Sequence, residues 1–282
     1  MIANAWLRRL VWRLGRRLYV AARGEPSRND PAENGELHLA ARVVAANAAV
    51  PVLAVLDVGA NVGDWTVPFV AALPAERRRR DRLALHLFEP TPTVRAELAA
   101  RLAAAGIADL VTLHAAAVSD TAGTAEFAIM SDTGGTNTLA LDDGVRREAR
   151  AVMAVEMVTL ADAVAAAGLE HVHLVKVDVE GHDLAVLRGA RPLLAQGAVD
   201  VVQFEYNFRW IPSHAVLRDV FALVEGLPYS VARVMPDHLE VFEAWHFELE
   251  RYFEANYVLV HERALGWFDA RHGRFDVSNT YA

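Results

Sequence analysis

Short runs of aliphatic and β-branched residues alternate along this chain with longer segments whose apolar residues recur every three or four positions. The short runs are continuously apolar, which is typical of strands buried on both faces of a sheet. The predicted strands are Val52–Val58, Leu83–Phe88, Leu110–Val118, His173–Val179, Val199–Phe204, Tyr229–Met235 and Tyr257–Val260. The predicted helices between them are Trp65–Leu73, Thr93–Ala105, Leu160–Ala167, Asp183–Ala195 and His214–Glu225. This alternation predicts an α/β fold with a mostly parallel, seven-stranded sheet and helices on both faces.

Two regions depart from the simple alternation. The last two predicted strands are expected to close the sheet as an antiparallel pair. Between the third and fourth strands, Ala125–Met130 and Val152–Val158 predict an inserted hairpin around the loop Ser131–Arg150. A loop of this length in a compact domain is usually functional, so we expect it to close over a bound substrate. Its polar and glycine positions include Asp132, Gly134, Gly135, Asn137 and Asp142.

Residues 1–23 predict a basic amphipathic helix. Its apolar positions at helical spacing are Ile2, Trp6, Leu7, Leu10, Val11, Leu14 and Leu18, and its interleaved cations are Arg8, Arg9, Arg13, Arg16 and Arg17. Charges throughout the segment argue against a signal peptide. Three uses remain open: packing on the body or on a second subunit of a homo-oligomer, a lid near the active site, and attachment to an anionic membrane. Residues 24–35 predict a hinge or loop.

The composition is that of a globular protein, with 54% hydrophobic and 23% charged residues. Because no apolar run reaches the ~18–20 residues of a membrane-spanning helix, no transmembrane segment is expected. The lack of cysteine fits a cytoplasmic location. The net charge of −8 argues against nucleic acid as a partner. Lysine occurs once among 28 basic residues, at Lys176, which draws attention to that position.

The first strand runs into a glycine turn that precedes a helix, with the sequence Asp57-Val58-Gly59-Ala60-Asn61-Val62-Gly63. Ligands of parallel α/β sheets bind at the carboxyl ends of the strands, where glycine lets the backbone come close. The dinucleotide fingerprint needs glycine at positions one, three and six of such a turn. Asn61 and Asp64 occupy positions three and six here. Pyrophosphate binding is therefore disfavoured, and the turn suits a ligand such as S-adenosylmethionine.

The next two strands end in residues that suit a nucleoside. Glu89, followed by Pro90, ends the second strand, where a carboxylate can accept hydrogen bonds from both ribose hydroxyls. The third strand ends in small residues against which an adenine ring can lie, namely Ala117, Val118, Ser119 and Asp120. These positions predict a nucleoside pocket beside the glycine turn.

The fourth strand concentrates ionisable residues at its carboxyl end. Strand alternation places Lys176, Asp178 and Glu180 on the side opposite the neighbouring valines. Burying such groups is costly unless they are paired, so the cluster is a candidate functional site. A purely structural pair between the lysine and a carboxylate is the alternative.

Taken together, these motifs resemble the FkbM family of S-adenosylmethionine-dependent methyltransferases. The resemblance covers about residues 52–260 and also includes Gly135–Leu139, Lys176–His182 and Leu187–Ala190. It implies a class I, Rossmann-like methyltransferase fold and O-methylation of a hydroxyl on a sugar or a secondary metabolite such as a glycoside or polyketide. It also implies that the cofactor is held through its methionine part by Asp57, Gly59, Ala60, Asn61 and Gly63, through its ribose by Glu89 and Pro90, and through its adenine by residues 117–120.

The ends of the chain match none of these motifs. We expect residues 1–45 to form a helical extension and linker, residues 46–262 the S-adenosylmethionine-dependent methyltransferase domain, and residues 263–282 a tail. Because substrate choice often lies in such peripheral elements, the acceptor is the least defined feature.

Transfer of a methyl group to an alcohol needs a base. The candidates are Asp178, Glu180, His182 and Glu205. His182 lies at a predicted helix start, where the dipole would keep its imidazole neutral. Alternatively, Asp178 and Glu205 could share a magnesium ion that binds the acceptor oxygens. Lys176 would keep the nearby carboxylates ionised, whereas His171 and His173, at the start of the strand, are expected to pack.

The acceptor is a small hydroxylated molecule, and we expect Asn137, Tyr206 and Trp210 to contact it. A core role for the aromatic residues after the fifth strand is the alternative. Two other functions compete with methyl transfer: a nicotinamide-dependent oxidoreductase and a non-catalytic interaction module. The incomplete dinucleotide fingerprint opposes the first, and the ionisable cluster on strand four opposes the second.

Overall fold

The structure is a computed structural model that describes residues 4–24, 30–131, 135–278 and 280–281. Ile2 of the predicted N-terminal helix and Asp132 and Gly134 of the predicted loop lie outside these ranges. The strands are β1 Leu53–Val58, β2 Leu83–Phe88, β3 Val111–His114, β4 Ala117–Ser119, β5 Gly123–Ile129, β6 Ala151–Thr159, β7 Val172–Val177, β8 Val199–Tyr206, β9 Tyr229–Val234, β10 Leu239–Phe242, β11 Ala255–His261 and β12 Ala270–His272. The α-helices are α1 Ala5–Ala22, α2 Glu36–Ala46, α3 Thr66–Ala72, α4 Pro92–Ala104, α5 Asp143–Glu148, α6 Leu160–Ala166, α7 Asp183–Gly189, α8 Arg191–Ala195, α9 Leu217–Leu223 and α10 Glu262–Leu265.

The main sheet has nine strands in the order β12-β10-β9-β11-β8-β7-β1-β2-β3. The block from β8 to β3 is parallel, and β11 and β9 close it as an antiparallel pair. The mostly parallel sheet and its closing pair are thus confirmed, but the predicted number of seven strands is wrong. The two additional strands, β10 and β12, are four and three residues long. Such short strands carry too few apolar residues to form a recognisable run.

Helices cover both faces of the main sheet, as predicted. On β1, Leu56 and Val58 pack into a core that includes residues of α6 to α9. Leu53 and Val55 point to the other face and pack with α2, α3, α4 and α10. Because alternate side chains enter two separate cores, every residue of β1 is buried. The carboxyl ends of the central strands remain the open edge of the sheet.

The inserted hairpin is confirmed, and it belongs to a second sheet with the strand order β4-β6-β5. The predicted third strand, Leu110–Val118, is therefore divided: β3 joins the main sheet and β4 pairs with β6. The predicted loop between β5 and β6 contains the helix α5. Asp142 caps this helix, because its Oδ1 accepts a hydrogen bond of 2.7 Å from the backbone N–H of Val145.

The predicted helix Asp183–Ala195 is likewise divided, into α7 and α8. Pro192 lies in the first turn of α8, where the lack of a backbone N–H is tolerated. Among the described residues no helix is long and apolar enough to cross a membrane. The predicted N-terminal helix is present as α1, and none of its residues is buried.

The helix α2 is an element that hydrophobic periodicity did not predict. It packs Leu39, Ala40 and Val43 into one of the two cores. Its first residue, Glu36, is also buried: Oε2 accepts a hydrogen bond of 2.7 Å from Gln203 Nε2, and Oε1 accepts one of 3.1 Å from Asn256 Nδ2. The helix therefore packs on the same sheet as the central strands. The division of the chain at residues 45/46 and 262/263 stays a prediction.

We expect Glu36→Ala to lower the free energy of unfolding by about 3 kcal/mol, because buried amide donors on β8 and β11 lose an acceptor and each such loss costs ~1–3 kcal/mol. Urea denaturation followed by tryptophan fluorescence measures this change. The matched control is Glu97→Ala, an exposed glutamate on α4. Equal stability of the two variants would contradict a structural role for the Glu36 network.

Candidate active site

The glycine turn after β1 packs directly against the end of β7. Gly59 has a φ of 84°, in the left-handed region that favours glycine. A Cβ atom at this position would lie 1.9 Å from the carbonyl oxygen of Asp178. Glycine is therefore required here for a contact within the protein, in addition to the approach of a ligand that the sequence predicts.

Beneath this turn, a row of polar side chains crosses three neighbouring strands. Asp57, Lys176 and Gln203 are register partners on β1, β7 and β8. Lys176 Nζ lies 3.0 Å from Asp178 Oδ2. Burial opposes the charged lysine, but Asp178, Asp57 and Glu36 outweigh it and raise the pKa of Lys176 above its usual value. Lys176 thus remains a buried cation at the base of the site.

Asp57 responds differently to the same surroundings. Thr66 Oγ1 donates a hydrogen bond of 2.5 Å to Asp57 Oδ2, while Oδ1 is buried and has no hydrogen-bond partner among the described residues. Burial raises the pKa of Asp57, and the opposing influence of Lys176 does not cancel it. At Asp57, Lys176 thus opposes the effect of burial, and its predicted role of keeping neighbouring carboxylates ionised stays a prediction.

A recess of about 60 Å³ opens at the carboxyl ends of β1, β2 and β7. It is lined by Gly59, Asn61, Glu89, Pro90, Phe127, Asn137, Asp178, Val179 and Glu180. Three groups of predicted residues meet here: four assigned to the cofactor, two assigned to catalysis, and Asn137, which was assigned to the acceptor. The structure thus brings distant motifs together around one recess.

The wall of this recess carries polar atoms without partners in the described part of the chain. Among the described residues, Asn61 Oδ1 and Asn137 Nδ2 are buried and have no hydrogen-bond partner. Glu89 Oε1 accepts a hydrogen bond of 2.8 Å from the backbone N–H of Thr91, and burial raises the pKa of Glu89. An unpaired acceptor, an unpaired donor and a carboxyl group suit the amino-acid and ribose groups of S-adenosylmethionine.

The remaining predicted cofactor residues lie outside the lining of the recess. These are Asp57, Ala60, Gly63, Ala117, Val118, Ser119 and Asp120. Of these, Ala117, Val118 and Ser119 form β4, which packs under α7. Ser119 Oγ lies 2.9 Å from His182 Nε2, at the start of that helix. The segment predicted to contact adenine is therefore covered by α7 in this structure.

A larger cavity of about 580 Å³ adjoins the recess. The loop containing α5 and the turn after β8 supply most of its lining, which consists of Met130, Thr136, Thr138, Ala140, Asp142, Gly144, Val145, Glu148, Glu180, Phe208, Arg209, Ile211 and Pro212. Among the residues that the structure describes, Glu180 is the one that lines both cavities. It therefore stands at the boundary between them.

The backbone at Glu180 is held in an uncommon conformation. Its φ is 57°, in the left-handed region that a non-glycine residue rarely adopts. Gly181 follows with a φ of 96°, and a Cβ there would lie 2.1 Å from the carbonyl oxygen of Arg209. Two hydroxyl groups hold this turn in place. Thr138 Oγ1 donates a hydrogen bond of 2.8 Å to the carbonyl oxygen of Glu180, and Ser213 Oγ donates one of 2.8 Å to the carbonyl oxygen of Gly181. The surrounding structure thus aims the Glu180 side chain.

The charge state of Glu180 is set by burial and by two neighbours. Burial and the nearby Asp178 raise its pKa to about 8, against the opposing influence of Arg209. Arg209 Nη1 lies 3.0 Å from Glu180 Oε2. This arginine was not predicted, because all but one of the 28 basic residues are arginine and the pair is formed only in the fold.

His182 and Glu205, the other candidate bases, line neither cavity. Burial lowers the pKa of His182 to about 4, so its imidazole is neutral near pH 7. Burial, Asp178 and Glu180 raise the pKa of Glu205 well above its usual value. Glu205 Oε2 also accepts a hydrogen bond of 2.6 Å from Asn207 Nδ2. Asp178 Oδ2 lies 3.0 Å from Lys176 Nζ, and a magnesium site at Asp178 and Glu205 stays a prediction.

Within the described ranges, one group of three residues has ligand atoms close enough for a metal ion: His171, His173 and Asp200. It lies toward the amino ends of β7 and β8, away from both cavities. His171 Nε2 lies 2.8 Å from Asp200 Oδ2, and Arg263 Nε donates a hydrogen bond of 2.6 Å to Asp200 Oδ1. The backbone N–H of Ala54 donates to His173 Nδ1. These contacts agree with the predicted packing role of the two histidines.

The aromatic residues predicted to wall the acceptor divide into two groups. Tyr206 and Trp210 are buried in the core, with ring centroids 5.0 Å apart, and they line neither cavity. Trp210 Nε1 donates a hydrogen bond of 3.0 Å to the carbonyl oxygen of Glu205. Phe208 and Ile211, from the same turn, line the larger cavity and are 59% and 55% exposed. The turn after β8 thus packs some side chains inward and presents others to the cavity.

Solved methyltransferase structures resemble this fold at low sequence identity. Methyltransferase FkbM from Methylobacillus flagellatus KT has a TM-score of 0.45 and 13% identity, over 74% of this chain and 44% of that chain. This chain thus spans less than half the length of that protein. The O-methyltransferase TomG from Streptomyces achromogenes is involved in tomaymycin synthesis and was solved with S-adenosylmethionine. It has a TM-score of 0.40 and 14% identity, over 80% of this chain and 78% of that chain.

Magnesium protoporphyrin IX methyltransferase from Synechocystis PCC 6803 has a TM-score of 0.40 and 14% identity, over 92% of this chain and 100% of that chain. No curated protein sequence matches this chain. The family model of the methyltransferase FkbM domain matches residues 57–252, from the glycine-turn motif to just before β11. This match covers more than half of the chain. The chain therefore belongs to the FkbM family of methyltransferases, with the class I, Rossmann-like fold.

Proposed function

We propose that this protein transfers a methyl group from S-adenosylmethionine to a hydroxyl of a small molecule, with Glu180 as the general base. The observation that carries the proposal is the position of Glu180 between a narrow recess and a larger cavity. Family membership supports methyl transfer. The carboxyl group at the boundary supports an acceptor that must lose a proton, as an alcohol does.

The recess would hold the methionine and ribose parts of the cofactor. S-adenosylmethionine, when bound, supplies an electrophilic methyl group. Asn61 Oδ1 and Asn137 Nδ2 offer an acceptor and a donor that no described residue pairs. Glu89 offers a carboxyl group to the ribose hydroxyls. Asp57 does not line the recess, so it would support the lining residues. Residues 117–120 would contact the cofactor only if α7 moved away from them.

The acceptor would lie in the larger cavity, with its hydroxyl at Glu180. As the acceptor oxygen forms its bond to the methyl carbon, the carbon–sulfur bond would break and S-adenosylhomocysteine would leave. The Glu180 carboxylate would take the hydroxyl proton in the same step, so the product is a neutral ether and not a protonated one. The pKa of about 8 lies close to neutral pH. A base with such a pKa is basic enough to accept the proton and is still partly ionised at neutral pH. Arg209 holds the carboxylate from the other side.

The larger cavity suits an apolar scaffold that bears hydroxyl groups. Its volume of about 580 Å³ falls in the ~300–1,000 Å³ typical of small-molecule sites. Phe208 and Ile211 offer apolar contact, while Asp142, Glu148 and Arg209 offer polar contact. This combination favours a glycoside or polyketide among the acceptors that the family resemblance implies. No observation favours a nicotinamide cofactor or a purely structural role.

Binding of the demethylated cofactor tests the recess. We expect Glu89→Gln to weaken S-adenosylhomocysteine binding by about tenfold or more, because charged hydrogen bonds contribute ~1.5–3 kcal/mol. Glu97→Gln is the matched control on an exposed surface. Calorimetry measures both variants, with NAD as a second ligand for the wild-type protein. Binding of NAD in preference to S-adenosylhomocysteine would refute the proposed function.

Transfer of a labelled methyl group to a panel of hydroxylated glycosides and polyketides identifies the acceptor, and mass spectrometry locates the new bond. We expect a bond to oxygen. With that acceptor, Glu180→Gln should lower kcat by ~10²–10⁴-fold while S-adenosylhomocysteine affinity changes little. Methylation of carbon or nitrogen, or full turnover by Glu180→Gln, would exclude the proposed base.

The pH dependence of kcat tests the charge state of Glu180. Because the ionised carboxylate is the active form, turnover should rise as pH passes through about 8 and fall below it. Arg209→Met removes the neighbour that lowers this pKa, so the acid limb should move upward by about one pH unit. Arg209→Lys retains the charge and should move it less. If the acid limb of Arg209→Met lay at the same pH as that of the wild type, the limb would not report the ionisation of Glu180.

A further inference from the structure

Helix α1 carries its leucines on one face and leaves that face uncovered. Leu7, Leu10, Leu14 and Leu18 follow each other at intervals of three and four residues, so they form a single stripe. Each of them is between 42% and 61% exposed. Trp6, at the start of the helix, is 70% exposed. Nothing in the described part of the chain covers this stripe, since no residue of α1 is buried.

The body of the protein holds α1 by the opposite side. Tyr19 Oη lies within hydrogen-bond distance, 3.2 Å, of Glu248 Oε2, and the Tyr19 ring centroid lies 6.3 Å from that of Phe253. The Arg16 guanidinium lies over the Phe253 ring at 5.2 Å. With about 3.6 residues per turn, Arg16 and Tyr19 fall on the face opposite the leucine stripe. The docked helix therefore turns its apolar stripe away from the body.

The charge of α1 has the opposite sign to that of the whole protein. The helix contains Arg8, Arg9, Arg13, Arg16 and Arg17, and no acidic residue occurs between Asn4 and Gly24. The protein as a whole has a formal net charge of −8. A surface that binds this helix should therefore be apolar in its interior and anionic where the arginines meet it.

A second copy of the helix does not have this chemistry. If two leucine stripes packed together, the arginines beside each stripe would approach one another, and α1 has no carboxylate to pair with them. A bilayer with anionic lipids supplies both features: acyl chains for the stripe and phosphate groups for the arginines. The absence of a long apolar run makes α1 a helix that lies in the interface and does not cross it.

We propose that α1 is an interfacial anchor that attaches this protein to the surface of an anionic membrane. The leucine stripe enters the boundary between headgroups and acyl chains, and the flanking arginines contact lipid phosphates. The contacts of Arg16 and Tyr19 with the body remain intact in this arrangement. The anchor is independent of the chemistry assigned to Glu180.

Vesicle sedimentation with the full chain tests the anchor. One set of vesicles contains phosphatidylcholine alone, and the other contains phosphatidylcholine and phosphatidylglycerol in equal parts. We expect at least ~10-fold stronger binding to the anionic set, falling as salt screens the arginines. Leu10→Asp should abolish this binding, and Arg9→Glu with Arg13→Glu should reduce it. Val52→Asp, which makes the same change at an exposed apolar residue before β1, should bind like the wild type.

The variants can be checked for folding by circular dichroism and S-adenosylhomocysteine binding, since the substituted side chains are exposed. Equal binding to both vesicle sets, or no binding to either, would overturn the membrane anchor. A dimer seen by sedimentation velocity that Leu10→Asp dissociates, without vesicle binding by the wild type, would assign the stripe to a second copy instead. Loss of turnover alone would concern only the proposed function.

Discussion

The buried charge of Lys176 is the constraint on which the rest of this structure depends. Its ammonium group lies 3.0 Å from Asp178 and is stabilised further by Asp57 and Glu36. A buried cation is tolerated only where carboxylates surround it, and the loss of one partner leaves an uncompensated charge. Because these carboxylates belong to β1, α2 and the end of β7, the lysine fixes the relative positions of three elements. The turn at Gly59 then packs against the same Asp178.

This arrangement crowds acidic groups at the end of β7, and their charge states differ in consequence. Asp178 has Lys176 as its partner, and Glu180 has Arg209. Asp183 accepts a hydrogen bond from the Gly181 N–H, and burial raises its pKa to about 7. Carboxyl groups that share one low-dielectric region cannot all ionise, so their pKa values spread apart. The residue with a value near neutral pH that also reaches both cavities is Glu180.

The sequence was sufficient to predict the features that depend on local pattern. Continuous apolar runs identified the central strands, and the motif residues Gly59, Asn61, Glu89, Asp178 and Glu180 do meet at one recess. It was insufficient where a residue's role depends on distant partners. Glu36 belongs to an ordinary alanine-rich helix until Gln203 and Asn256 are seen beside it. Arg209 is one arginine among many until the fold places it against Glu180. Aromatic type likewise could not separate the core residues Tyr206 and Trp210 from the exposed Phe208.

The contacts that orient α1 also set an order of events during synthesis. Tyr19 and its partner Glu248 are 229 residues apart in the chain. At ~5–20 residues per second, the ribosome needs about 11–46 s to make the second after the first. Throughout that interval the helix has neither its docking side nor its leucine stripe engaged by the body. Any surface that α1 meets in that interval therefore meets the leucine stripe and the arginines before the sheet that docks the helix is complete.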